Sequence, residues 1–384
     1  MKWLAPAALL MLGLAPAFTP ASAQIAISAN DSKMILVNGV GTVVREPAND
    51  SITVFRLGQG QVTRLAELAV PASVVGPPVS VAITPDERLA LVTAAMVKDP
   101  NDAAKQVPGN FMTLVDLAAS PPAVLGRVET GLGPAGVSIN RAGNLALVAN
   151  RNAGTVGVYR IAGQAVSLVE TVRIGAADIG VSHVAITPDG RRALVTRDND
   201  STISVLAIDG EKVTLANRDL SAGLRPYGIA ITPNGQFAAV ANIGRGGGDD
   251  DTVSLIDLRR EPYRVTQTIT VGQTPEGIMT SPDGRWVGVV VMNGSNKPAG
   301  SPFLNANGKL VLLRLAGDRL EPAHEAPIGT WSQGVAFSAD GQMVLVGDMV
   351  EKRLNVFRIT EQGLAAQAPV PLPAGGAAIR TAEK

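Results

Sequence analysis

The chain has 384 residues, with 33 Lys and Arg against 33 Asp and Glu, two His and no Cys. Without Cys there can be no disulfide, thiolate zinc site, Cys nucleophile or covalently attached c-type haem, and two His are too few for a multi-histidine metal centre. Nothing in the even charge balance argues for attraction to nucleic acid or an acidic membrane surface.

The first element along the chain reads as an export signal. Lys2 supplies a positive start, Leu4 to Leu14 a short apolar run, and Ala21-Ser22-Ala23 a small-x-small site, with cleavage expected before Gln24. The run is too short to span a bilayer, and Pro6, Pro16 and Pro20 interrupt the region. No later stretch is apolar over a spanning length. The expected product is a soluble periplasmic or secreted monomer, residues 24–384 forming one domain without membrane insertion.

A phrase then recurs along the chain: an apolar strand, a polar turn, a second apolar strand. Val81-Ala-Ile-Thr-Pro-Asp86 leads to Leu89–Thr93, Val137–Asn140 to Leu145–Asn150, and Val184-Ala-Ile-Thr-Pro-Asp-Gly190 to Ala193–Thr196. Ile229-Ala-Ile-Thr-Pro-Asn-Gly235 leads to Ala238–Asn242, Ile278–Gly284 to Trp286–Val291, and Val335–Gly341 to Val344–Val346. A degenerate first copy is Ile25–Asp31 followed by Met34–Asn38. The copies lie roughly 45 to 57 residues apart, near the length of a propeller blade. Pro presets φ and Gly accepts positive φ, so each Pro-Asp-Gly joins a hairpin. A third strand follows in each copy, such as Thr155–Tyr159 or Thr252–Ile256, and a fourth leads into the next, such as Val265–Val271. No segment has sustained helical periodicity. The expected fold is all-β, a seven-bladed β-propeller with four antiparallel strands per blade. A solenoid of stacked hairpins is the alternative, but its repeats are usually shorter.

The phrases Leu-Val-Thr, Val-Ala-Asn and Thr-Val-Ser-Leu-Ile-Asp resemble the YVTN repeat of bacterial seven-bladed propellers, which is similar in turn to the lactonase-like propellers. The resemblance covers essentially the whole chain after the leader, and the Gly-His…Trp-Asp signature of WD40 propellers is absent. It implies the propeller fold, but the family spans lactone hydrolases, carboxymuconate cyclases and exported proteins without assigned chemistry.

The Pro-Asp-Gly turns define one face of the ring. The loops between second and third strands must lie on the other, and those of blades one, two and six are long (38–50, 94–110 and 293–308). Blades six, seven, one and two are contiguous in a closed ring, so a high rim is expected on that side. Long loops on a rigid scaffold often carry function.

Residues just before each first strand should ring the central mouth on that face. They include His183, Tyr227, Glu276 and Gln333, with Arg225 and Trp331 two residues upstream of Tyr227 and Gln333. His183 stands where other blades have Gly136, Gly228, Gly277, Gly334 or Ser80. Lactonase-like propellers similarly place a His before an inner strand, with Arg and a carboxylate nearby. That resemblance implies His183 or Glu276 as general base and Arg225 as clamp on a carboxylate or oxyanion, with Tyr227, Trp331 and Gln333 as ligand-binding residues. No clear second Arg is legible at the mouth, and a buried hydrogen-bonded His183 is the competing reading. The acidic run Asp249-Asp250-Asp251 could take Ca²⁺, but its spacing does not match an EF-hand loop, and a solvated loop is preferred. No other cofactor is expected. The main functional reading is therefore a propeller that binds a small molecule or a protein partner at the mouth and long-loop face. The alternative is a lactonase-like hydrolase of a lactone or related ester.

Overall fold

The computed structural model describes residues 24–384, and the expected leader lies outside the described residues. Every regular element among the described residues is a strand, and seven antiparallel sheets arranged as blades form a seven-bladed β-propeller. The inner strands of blades two to seven are Val81–Ile83, Pro134–Ile139, Val181–Ile186, Pro226–Ile231, Pro275–Thr280 and Ser332–Phe337. Each pairs with the next strand in sequence through the expected hairpin.

Blade one departs from the sequence reading. Its inner strand is Gly375–Thr381, which pairs with Gln24–Asp31, so Ile25–Asp31 is a second strand and not a first. The ring is closed by strands from distant parts of the chain. Met34–Val37 pairs with Val40–Val43 in a separate hairpin within the blade-one loop. A similar hairpin, Met96–Lys98 with Gln106–Pro108, stands in the blade-two loop.

Blades stack face to face, so their inner strands are covered on both sides and read as continuous apolar runs. Leu145–Asn150 is buried at every position, whereas the outer strand Arg264–Gly272 alternates with solvent along most of its length. The core sits between neighbouring blades. Leu147, Val156 and Val158 of blade three, for example, pack with Val181, Val184 and Val195 of blade four.

The turn face follows from side-chain chemistry. Thr187 Oγ1 donates to Asp189 Oδ1 at 2.6 Å and accepts the Arg192 N–H at 3.0 Å, while Gly190 takes φ 70°. Thr232 with Asn234 and Ser281 with Asp283 repeat the arrangement. Short polar side chains thereby replace the ladder bonds that a turn forfeits.

The long loops of the other face touch one another. Ala299 N–H of the blade-six loop donates to Asn38 Oδ1 of the blade-one loop at 3.0 Å. Lys98 Nζ of the blade-two loop donates to the Arg45 carbonyl at 2.7 Å. The high rim is one connected structure.

Candidate functional site

A left-handed residue precedes the inner strand in five blades: Gly133, Gly180, Arg225, Thr274 and Trp331. Gly fits this conformation without strain, but a side chain there costs about 1–2 kcal/mol. Arg225 (φ 57°) and Trp331 (φ 54°) accept that cost.

Arg225 does not act alone. Its Nη2 donates to Asp198 Oδ2 at 2.8 Å. Asp198 is fully buried and also takes both terminal nitrogens of Arg151, one of them at 3.0 Å, and the Ser182 hydroxyl at 2.6 Å. Burial alone would raise the Asp198 pKa, but Arg151, Ser182 and Arg225 together hold it below the ordinary carboxylate value. The Arg151 guanidinium also lies 5.8 Å from the centre of the Tyr227 ring, within reach of a cation–π attraction. Tyr227 is buried, which pushes its phenol pKa upward and keeps it neutral.

Glu276 stands beside this cluster on the next blade. Burial raises its carboxyl pKa to about 8. Gln333, Arg225 and Arg151 pull the other way, and Asp198 adds to the rise. The fully buried Gln333 amide lies beside Glu276, close enough to favour its charged form. No ion pair within 4 Å joins Glu276 to either guanidinium among the described residues. The cluster thus contains an acid that titrates near neutrality, two cations anchored by a shared Asp, and a polar amide. A half-buried carboxyl of this kind can move a proton at physiological pH, and fixed guanidinium groups can stabilise developing negative charge.

The sequence-predicted residues separate into three places. Arg225, Tyr227, Glu276 and Gln333 belong to this cluster. Trp331 packs instead against Val74, Met349, Ala377 and Met34 under the loop canopy, its backbone N–H donating to Ser295 Oγ at 3.2 Å. His183 lies in the axial channel. Its Nδ1 accepts the Ile229 N–H at 3.1 Å, and it lines a narrow cavity with Ser138, Met279 and Arg380. Burial, with Arg380 nearby, drives its pKa well below the ordinary imidazole value, so it is neutral with its proton on Nε2. Gly136 makes room for it, since a Cβ there would stand 2.8 Å from the His183 ring.

Arg151 and Asp198, which the sequence reading missed, directly follow the second strands of blades three and four. The corresponding residues of blades five, six and seven are Ile243, Met292 and Met349. That break from apolar to charged was a readable signal, but it lies outside the positions that precede an inner strand. Asp251 of the acidic run is turned inward, where its Oδ2 accepts the Thr274 N–H at 2.9 Å. Among the described residues no group of three His, Cys, Asp or Glu is arranged to hold a metal ion. His324 packs on the Trp286 ring at 5.7 Å on the outer strand of blade six.

A family model described as "Lactonase, 7-bladed beta-propeller" matches residues 103–225. That span includes Arg151, His183, Asp198 and Arg225 but stops short of Glu276. No curated protein matches the chain. Among solved structures, the periplasmic gluconolactonase of Pseudomonas aeruginosa is similar at 18% identity and a TM-score of 0.67, over 94% of this chain and 99% of that one. A candidate 6-phosphogluconolactonase from Bacteroides fragilis is similar at 16% identity and a TM-score of 0.70, over 96% and 99%. Hydrazine synthase of Kuenenia stuttgartiensis also matches, at 17% identity and a TM-score of 0.62, over 80% and 90%. At such identities these likenesses establish the fold alone. The chain is a seven-bladed β-propeller with a lactonase-like segment in its middle blades.

Proposed function

We propose that the protein hydrolyses a lactone at the loop-face mouth, with Glu276 moving the proton and Arg225 stabilising the oxyanion. The observation that carries this reading is the half-buried Glu276 carboxyl beside the Arg151–Asp198–Arg225 cluster, its pKa raised to about 8. The family match and the two lactonase-like structural neighbours support the same chemistry.

In the proposed reaction the Glu276 carboxylate takes a proton from water as the oxygen attacks the lactone carbonyl. The carbonyl electrons move onto its oxygen, facing the Arg225 guanidinium. Collapse of that intermediate breaks the ring C–O bond, and Glu276 returns the proton to the departing oxygen, giving a hydroxy acid. Asp198 and Arg151 are positioning residues, since they hold Arg225 in place. The leader-like residues 1–23 support an extracytoplasmic location.

The test is a pH-stat assay with five- and six-membered lactones, including sugar-derived δ-lactones. Hydrolysis well above the spontaneous rate for at least one class is expected, and no acceleration for any of them would refute the reading. A non-catalytic binding role is the second reading, favoured by the linked loop canopy.

Arg225→Gly separates function from stability. It relieves the left-handed strain and loses a partly exposed guanidinium while Asp198 keeps Arg151 as counter-ion, so unfolding free energy should change by no more than about 1–2 kcal/mol. Hydrolysis should fall by about 10²–10³-fold, as expected for loss of an oxyanion donor. Denaturant unfolding and kcat/KM on the same preparation check both halves.

A further inference from the structure

The channel has a second mouth, on the turn face, and it differs in character from the first. There it opens into a cavity of about 180 Å³ walled by Ile139, Ile186, Ile231, Met279 and Phe337. A cavity of about 150 Å³ suffices for a benzene-sized guest. Deeper in, the same channel narrows past Ile186, Ile231 and Met279 to His183 and Arg380.

Arg380 is the unusual group. It is 4% exposed and belongs to the inner strand of blade one, at a position where the corresponding strands carry the small residues Ala185 and Ala230. Its contacts among the described residues are the Met279 sulfur at 2.6 Å and Glu383 at 3.8 Å. A guanidinium has five N–H donors, and buried ones are ordinarily satisfied by oxygen acceptors. His183 adds an Nε2–H donor to the same narrow cavity, because its Nδ1 is taken by Ile229. Two buried donors, one of them cationic, thus stand at the end of an apolar funnel.

Glu383 indicates the shape of the missing acceptor. Its carboxylate reaches toward Arg380 from the mouth while more than half of its side chain stays in water. Lys384 is tied to Glu87 at 2.9 Å at the rim. The segment Ala382–Lys384 thus lines the cavity and presents a carboxylate that a ligand could displace.

We propose that the turn-face mouth binds a small apolar monocarboxylate, its carboxylate held by Arg380 and His183 Nε2–H, its hydrocarbon body against the Ile139–Ile186–Ile231 wall, and Glu383 as the internal competitor it displaces. This site is separate from the Glu276 cluster and does not depend on the lactonase reading.

Hexanoate is a suitable probe, titrated calorimetrically into the full folded chain. Binding with a dissociation constant on the order of 1 mM is expected, with acetate and hexanol each about tenfold weaker because one lacks the body and the other the charge. Glu383→Gln, at an exposed side chain that leaves the fold intact, should tighten hexanoate by several-fold. Arg380→Met should abolish it, and Glu276→Gln should leave it unchanged. The proposal is overturned if hexanoate fails to bind both wild type and Glu383→Gln. It is equally overturned if Glu383→Gln leaves the affinity unchanged, if a folded Arg380→Met binds as wild type does, or if Glu276→Gln abolishes binding.

Discussion

Glu276→Gln is expected to lower lactone hydrolysis by about 10²–10⁴-fold, the range assigned to a general acid–base residue. Gln keeps the shape and one acceptor but cannot carry a proton between water and the departing oxygen. The same change should make the protein more stable at alkaline pH. Glu276 has a folded pKa of about 8, above its ordinary value. A raised carboxyl favours the folded state at low pH, and that contribution is lost as pH rises through the folded value. The stability gain of Glu276→Gln over wild type should therefore be larger at pH 9 than at pH 5. Denaturant melts of both proteins at the two pH values check the sign. Lost activity with raised alkaline stability is the pattern of a strained functional group, because a purely structural Glu would lose stability on replacement.

Asp198→Ala should be the most destabilising single change in the cluster. The carboxylate is buried and receives both terminal nitrogens of Arg151, the Ser182 hydroxyl and Arg225. Its removal leaves Arg151, which is largely buried, without its counter-ion. Breaking such a pair by removing one partner costs about 3–5 kcal/mol. Because the Asp198 pKa is lowered on folding, its contribution is complete above the ordinary carboxylate pKa and fades as pH falls through the folded value. The difference between wild type and Asp198→Ala should thus be full at pH 7 and shrink below about pH 4. Urea unfolding at pH 7 and at pH 3.5 gives both numbers.

The ring was legible because the same physical problem is solved in each blade. Val-Ala-Ile-Thr-Pro-Asp-Gly states an inner strand buried on both faces and then a turn whose Thr and Asp take over the backbone bonds. The first copy misled for a specific reason. Asn30-Asp31 looks like the end of an inner strand, yet Asp31 Oδ1 accepts the Lys33 and Met34 N–H groups and so starts the loop that follows a second strand. The true inner strand, Ala377-Ala-Ile-Arg-Thr381, is the same phrase displaced to the far end of the chain. Closure between remote strands is a tertiary event that no local pattern reports.

The site was legible in half. Tyr227 and Glu276 were found because the residues preceding an inner strand must ring the mouth. His183 stands one residue further along, at the position of Gly228 and Gly277, past a pairing irregularity that blades three to seven share. Neighbouring strand residues face opposite ways. Here Ser182 turns to Asp198 while His183 turns down the channel. Arg151 and Asp198 come from loops after second strands, and only the register of adjacent blades brings them to Arg225. Arg380 entered no sequence-based list because its strand was not recognised as an inner one.

The pH dependence of kcat/KM for lactone hydrolysis, corrected for the spontaneous rate between pH 5 and 9.5, tests the central claim most directly. If Glu276 is the base, it must be ionised to act. The profile should then rise about tenfold per pH unit and level off near its pKa of about 8, and Glu276→Gln should remove that limb. A profile that is flat across this range, or a limb near 8 that survives in Glu276→Gln, would contradict the account.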